Sequence, residues 1–277
     1  MSKLKNVLSV SRRTDIPAYY LTWFIEKIKK GYVFVDNPFY PGNARKIELT
    51  TDINAWIVFW SRDYSTFLKH NDFFSDYDLY FHFTVNNENE ITAPASIKTD
   101  IQIKQIEKLC SIFGSEKIMW RFDPLFFYSS GSNYTGKQFK LLCSQMNNAG
   151  VKKCVTSFAF PYKKIQTRIK KRNLDIEIIN TDETSKLQIA REMLETAKNY
   201  KIQLYSCCDS DLLKIKGIKK SSCIDGNLLN SLGKSKVSTA KYPSREYCAC
   251  TKSIDIGDYR KQACKSRCIY CYARPGD

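Results

Sequence analysis

The sharpest chemistry in this sequence lies near its C-terminus, in Cys264-Lys-Ser-Arg-Cys268-Ile-Tyr-Cys271, a C-x3-C-x2-C spacing. Thiolates are soft ligands suited to zinc or to iron–sulfur clusters. Three cysteines this close can wrap three corners of one 4Fe–4S cluster, leaving its fourth iron open to a small molecule. Structural zinc normally takes four ligands from two separated pairs, which a lone three-cysteine loop does not provide. Five further cysteines precede the motif: Cys207, Cys208, Cys223, Cys248 and Cys250. Cys248 and Cys250, with Cys223 and one or both of Cys207 and Cys208, would make a second site: a closed cluster or a structural zinc. Cys207 and Cys208 are adjacent and cannot easily both bind one metal, and the spacing does not choose between them. Cys110, Cys143 and Cys154 sit among apolar neighbours and read as core packing. An odd total of 11 cysteines, with no export signal, argues against a disulfide scaffold.

A second set of chemically capable residues lies where strand-like runs end. Ser11-Arg12-Arg13-Thr14-Asp15 follow residues 7–10, and Ser61-Arg62-Asp63 follow residues 55–60. Asn86 and Asn87 follow residues 79–85, a run that contains His82. Arg121-Phe122-Asp123-Pro124 follow residues 117–120, Ser157 ends the sixth run, and Ser206-Cys207-Cys208-Asp209 follow the seventh. In a parallel barrel such ends converge on one mouth. Arg12, Arg13, Asp15, Arg121 and Asp123 are therefore the expected catalytic and positioning residues. The competing role for the same pairs is to staple loops together. His82, alone in an aromatic strand, reads as a core residue. With only His70 and His82 in the chain, and no HxH or HExxH, a His-rich hydrolytic site has poor support.

The C-x3-C-x2-C, with Tyr270 just before its last cysteine, resembles the signature of radical S-adenosylmethionine enzymes. That resemblance implies a 4Fe–4S cluster on Cys264, Cys268 and Cys271 whose unique iron chelates S-adenosylmethionine. Reductive cleavage of the cofactor would then yield a radical that abstracts a substrate hydrogen, fed by an electron donor such as flavodoxin or ferredoxin. Two departures stand out. The superfamily's motif follows the first barrel strand, whereas here it lies at the end of the chain, and no Gly-Gly-Glu-like segment is evident. A resemblance over nearly the whole chain is to the domain of unknown function 1848 family. It is carried by Val10-Ser11-Arg12-Arg13-Thr14-Asp15-Ile16-Pro17-Ala18, by Trp120-Arg121-Phe122-Asp123-Pro124, and by Cys248 through Ser253-Ile254-Asp255-Ile256-Gly257 to Cys271-Tyr272-Ala273. That family implies a C-terminal cysteine cluster and no established reaction. The short Arg121-Phe122-Asp123-Pro124 segment also resembles one near the barrel mouth of spore photoproduct lyase relatives, which points towards nucleic acid.

Positioning such residues needs a scaffold, and 277 residues suffice for one large domain or one with an appendage. Strand-like and helix-like segments alternate through the first two hundred residues, which implies βα units and a parallel sheet. Seven strand candidates are counted: residues 7–10, 32–35, 55–60, 79–85, 117–120, 154–158 and 202–205. An eighth lies near 236–238. The expectation is an α/β fold, a (β/α) TIM-like barrel over residues 1–206, with an open doubly wound sheet as the alternative. A Cys-rich iron–sulfur segment, residues 207–277, packs on it. No GxGxxG follows the first strand and no GxxxxGK[ST] occurs, which removes the support for a Rossmann or P-loop site. No apolar run approaches the ~18 residues of a membrane span, and the N-terminus lacks the ~7–15-residue apolar core of a signal peptide. A soluble, cytoplasmic chain is expected.

The formal net charge of +16 favours a polyanionic partner, tRNA or DNA. The local basic run Lys163-Lys164, Arg168, Lys170-Lys171-Arg172 reads first as a solvated helix face. The function expected is an iron–sulfur enzyme abstracting hydrogen from an anionic substrate, in nucleic acid modification or repair. Its alternative is a nucleic-acid-binding protein stapled by structural zinc or an iron–sulfur cluster.

Overall fold

The computed structural model describes residues 4–37, 40, 42–243 and 246–273. Eight strands form one parallel sheet: β1 (Asn6–Val10), β2 (Asn54–Ser61), β3 (Asp78–Thr84), β4 (Ile118–Arg121), β5 (Lys153–Thr156), β6 (Gln203–Ser206), β7 (Lys219–Lys220) and β8 (Ile254–Asp255). Their spatial order is β7-β6-β5-β4-β3-β2-β1-β8. The strands thus follow chain order, except that the last one lies outside the first. Leu8 pairs with Ile57 on one side and with Ile254 on the other.

Strands of a parallel sheet covered on both faces read as continuous apolar runs, and β2, Asn-Ala-Trp-Ile-Val-Phe-Trp-Ser, is such a run. Its side chains alternate between two cores. Ile57 and Phe59 join Leu8, Val10, Phe81 and Trp120 under the helices. Trp56 and Val58 join Val7, Tyr80, Met119 and Val155 on the other face, which Ile224, Leu229 and Val237 cover.

The helices are α1 (Ile16–Tyr19), α2 (Leu21–Lys30), α3 (Ser65–Lys69), α4 (Thr99–Phe113), α5 (Gly136–Asn148), α6 (Lys163–Lys171), α7 (Glu183–Asn199) and α8 (Gly226–Leu232). The helical segment that follows Asp15 is broken into α1 and α2 at Tyr20, whose φ is −135°. Gly31 closes α2 in the left-handed region at φ +82°, where a side chain would be strained.

Three strand expectations change. Residues 32–35 do not enter the main sheet. Tyr32–Asp36 pairs antiparallel with Ala44–Glu48 in a separate ribbon. Val33 and Val35 are buried there while Phe34 is exposed, the one-sided alternation of an antiparallel strand rather than the two-sided burial of a parallel one. Residues 236–238 give only a single parallel bridge, Lys5 to Val237. The two edge strands, β7 and β8, come instead from the 207–277 segment, so the sheet continues past residue 206. Cys143 and Cys154 are fully buried and Cys110 packs half-buried against the core. Among the described residues no helix is long and apolar enough to cross a membrane.

Candidate functional site

A cavity of about 980 Å³ opens beside the C-terminal ends of the strands. That volume is at the upper end for small-molecule sites. All eight cysteines from Cys207 onward line it: Cys207, Cys208, Cys223, Cys248, Cys250, Cys264, Cys268 and Cys271. Arg12, Arg13, Asp15, Arg121 and Asp123 line it too. Strand order produces the convergence. β8 lies against β1, so the chain leaving β8 towards the Cys264 loop emerges next to the Ser11–Asp15 loop that leaves β1.

Asp255, at the end of β8, fastens these two exits together. Its carboxylate accepts from Ser9 Oγ at 2.5 Å, Ser11 Oγ at 2.7 Å and the Arg12 backbone N–H at 2.9 Å. Arg12 Nε and Arg13 Nε lie 3.6 and 3.7 Å from it. Gly257 is required by the same junction: a Cβ there would sit 2.0 Å from Ser11 Oγ. Asp255 was not among the expected site residues. The signal was present in the Ser253–Gly257 segment, but a lone Asp shows no partner in the sequence.

Asp15 is held by structural bonds. It caps α1 through Ala18 N–H at 3.0 Å, and it accepts from Ser61 Oγ at 2.7 Å and Arg62 N–H at 3.0 Å. Burial raises its pKa to about 6, outweighing the bonds that favour the carboxylate. Arg121 and Asp123 form a buried ion pair at the end of β4. Burial opposes the charge on Arg121, but Asp123 and Cys223 outweigh it and hold the guanidinium protonated.

The Cys264–Cys271 loop is gripped from both sides. Tyr20 Oη donates to the Ala263 carbonyl at 2.7 Å, and Tyr19 Oη lies 3.1 Å from Ser266 Oγ. The helix break at Tyr20 sets these two tyrosines on the loop. On the other side Arg168 donates to the carbonyls of Ile269 (2.9 Å), Cys271 and Ala273 (2.7 Å), and Arg172 to that of Arg267 (2.7 Å). The basic run on α6 is therefore not simply solvated: Arg168 is buried and clamps the cysteine loop. Lys163, Lys170 and Lys171 do remain exposed. Arg62 is buried against the motif as well, donating to Tyr270 Oη at 3.1 Å and Ser96 Oγ at 3.0 Å.

Burial raises the Cys264 thiol to about 11 and the Cys271 thiol to about 12, each also opposed by the neighbouring cysteines. A buried thiol set of this kind ionises readily only when a cation takes its charge. The donor chemistry therefore fits a thiolate-bound metal group. Among the described residues, no group of three or more His, Cys, Asp or Glu is preformed around an ion.

The remaining thiols string together. Cys207 Sγ lies 3.8 Å from Cys223 Sγ. Cys223 contacts Cys250, Cys250 contacts Cys248, and Cys208 contacts Cys207. Arg121 donates to Cys223 Sγ at 3.4 Å. His82 is a buried core residue, as expected, with its pKa lowered to about 3 by burial and then by Arg121. Its Nε2 lies 2.6 Å from the Cys223 carbonyl, so the ring donates there and positions that loop.

No curated protein matches the chain. A solved structure, described as a crystal structure of D-hydantoinase, is similar over 66% of this chain and 41% of its own, at 12% identity and a TM-score of 0.34. The chain thus spans less than half of that protein. The family model described as Domain of unknown function (DUF1848) matches residues 7–273, the β1 exit, the Arg121–Asp123 pair and the cysteine loop included, and the chain belongs to that family.

Proposed function

We propose that this cavity is the catalytic centre of an iron–sulfur enzyme similar to the radical S-adenosylmethionine proteins. The observation that carries the reading is the convergence of Cys264, Cys268 and Cys271 with the Arg12–Asp15 loop in one cavity. The motif's place at the end of the chain is reconciled with this reading by the position of β8 beside β1. The sequential strand order, with the last strand beside the first, supports a (β/α) barrel whose edges, β7 and β8, approach one another.

In this reading Cys264, Cys268 and Cys271 hold a 4Fe–4S cluster and S-adenosylmethionine completes it. When bound, the pair supplies one-electron chemistry that ends in hydrogen abstraction. The chain's own residues do the rest. Tyr19, Tyr20 and Arg168 fix the loop that carries the three thiolates. Arg62, buried beside Cys268, offsets the negative charge of the thiolates. Arg12, Arg13 and Lys164 line the cavity with positive charge and select an anionic substrate, with nucleic acid favoured by the net charge of +16.

Electron paramagnetic resonance on anaerobically reconstituted, dithionite-reduced protein tests this. A reduced 4Fe–4S signal whose g-values move on adding S-adenosylmethionine is expected, and Cys268→Ala loses it. A signal indifferent to the cofactor overturns the radical assignment. Zinc without iron favours instead the nucleic-acid-binding protein with a structural staple.

A further inference from the structure

We infer that the cavity holds a second metal centre, a single tetrahedral thiophilic divalent ion bound by Cys207, Cys223, Cys248 and Cys250. It is independent of the Cys264–Cys271 cluster. Three separate segments of the sequence deliver these sulfurs. Cys207 follows β6, Cys223 follows β7, and Cys248 and Cys250 precede β8. The two later loops are tied to each other by Ser222 Oγ to the Ala249 carbonyl (3.0 Å) and by Thr251 N–H to the Ile224 carbonyl (2.9 Å). Such ties hold Cys223 and Cys250 at one place whatever their sulfurs bind.

The distance between two sulfurs of the set decides the kind of site. Metal–sulfur bonds of about 2.3 Å at tetrahedral angles put neighbouring sulfurs about 3.8 Å apart. Cys207 Sγ and Cys223 Sγ are 3.8 Å apart. Cys207, rather than Cys208, is therefore the ligand from the adjacent pair. Cys250 contacts Cys223, and Cys250 N–H donates to Cys248 Sγ at 3.5 Å, a hydrogen bond that thiolate ligands commonly accept. Because no three ligating groups of the described residues yet surround one point, binding draws this string of sulfurs inward.

Charge and unpartnered polarity point to the same place. Four thiolates on a divalent ion leave two net negative charges in a buried wall. Arg121 supplies a guanidinium 3.4 Å from Cys223 Sγ, with Arg12 near Cys223 and Cys250. His82 fixes the Cys223 carbonyl from behind. Ser221 Oγ lines the cavity, is buried, and has no hydrogen-bond partner among the described residues. A hydroxyl at that position is a donor for a thiolate ligand.

The test uses the full chain carrying Cys264→Ala, Cys268→Ala and Cys271→Ala, so that failure of the first cluster cannot be mistaken for failure of the second centre. Cobalt(II) is titrated in anaerobically and read by thiolate-to-metal absorption, then displaced with zinc. One tetrahedral ion per chain is expected. Adding Cys207→Ser or Cys223→Ser weakens binding by more than about 100-fold, whereas Cys208→Ser changes it less than about threefold. Circular dichroism confirms that each variant is folded, and Cys264→Ala alone replaces the triple variant if it is not. No bound ion, equal losses from Cys207→Ser and Cys208→Ser, or stoichiometric acid-labile sulfide in reconstituted triple variant each overturns the proposal.

Discussion

The two cysteine groups of this cavity are built in opposite ways. Cys264, Cys268 and Cys271 come from one stretch of eight residues, and helices hold that stretch from outside. Cys207, Cys223, Cys248 and Cys250 span 44 residues and are gathered by the ends of three strands. A contiguous loop carries its ligand geometry with it, so its dependence on the fold is mainly a matter of where it is docked. A dispersed set exists only once the sheet has formed. Metal binding at the dispersed set therefore couples to the folding of the chain's last third.

The largest expected effect separates the groups outright. Cys268→Ala abolishes iron at the contiguous loop, while metal at the dispersed set persists, as metal analysis of the anaerobically purified variant measures. Loss of metal from both sites would mean that the cavity is one coupled unit.

Arg168→Ala is the next largest. It removes a buried guanidinium that serves three carbonyls of the contiguous loop. The expected cost is about 3 kcal/mol, from buried acceptors left unsatisfied, measured by denaturant unfolding. Iron occupancy of the loop falls, and the dispersed set is unaffected.

Asp15 sharpens the comparison through pH. Its folded pKa of about 6 lies above its usual value of 3.8, so the folded state holds this proton more tightly. Its contribution is fully favourable below about pH 4 and is lost as pH rises through 6. In metal-free, reduced protein, the stability difference between wild type and Asp15→Asn therefore shifts by about 2.4 kcal/mol against wild type between pH 4 and 7. Urea unfolding at both pH values measures it, and a flat difference rejects burial as the dominant influence on this carboxyl.

Smallest is Gly257→Ala. The added methyl meets Ser11 Oγ and pushes apart the junction that Asp255 fastens. About 2 kcal/mol is the usual scale for such overpacking. Thermal unfolding reads it, with the contiguous loop losing metal before the dispersed set does.

Much of the scaffold is legible in local pattern. The apolar residues Phe139, Leu142, Cys143 and Met146 mark the buried face of α5, and all four are buried. Gly31 and Gly114 stand at the ends of α2 and α4 as helix stops. The misreadings have local causes as well. Residues 32–35 have strand propensity, but propensity does not say which sheet a strand joins. β7 and β8 are two residues each, too short for any periodicity to register. Arg168 looked like surface because charge patterning on one helix cannot reveal that another segment lies over it.

Local pattern places most of the helices and longer strands, and it carries the thiol spacing of the contiguous loop and the polar residues at strand ends. These depend on neighbours within a few positions, where a helix or strand repeat suffices to place a side chain. It takes the assembled sheet to put β8 beside β1, to join Asp255 to Ser11 across 244 residues, and to bring Cys207 to Cys223. Those contacts follow from strand order, which is set by the burial of both sheet faces over the whole chain and is written in no single segment of it.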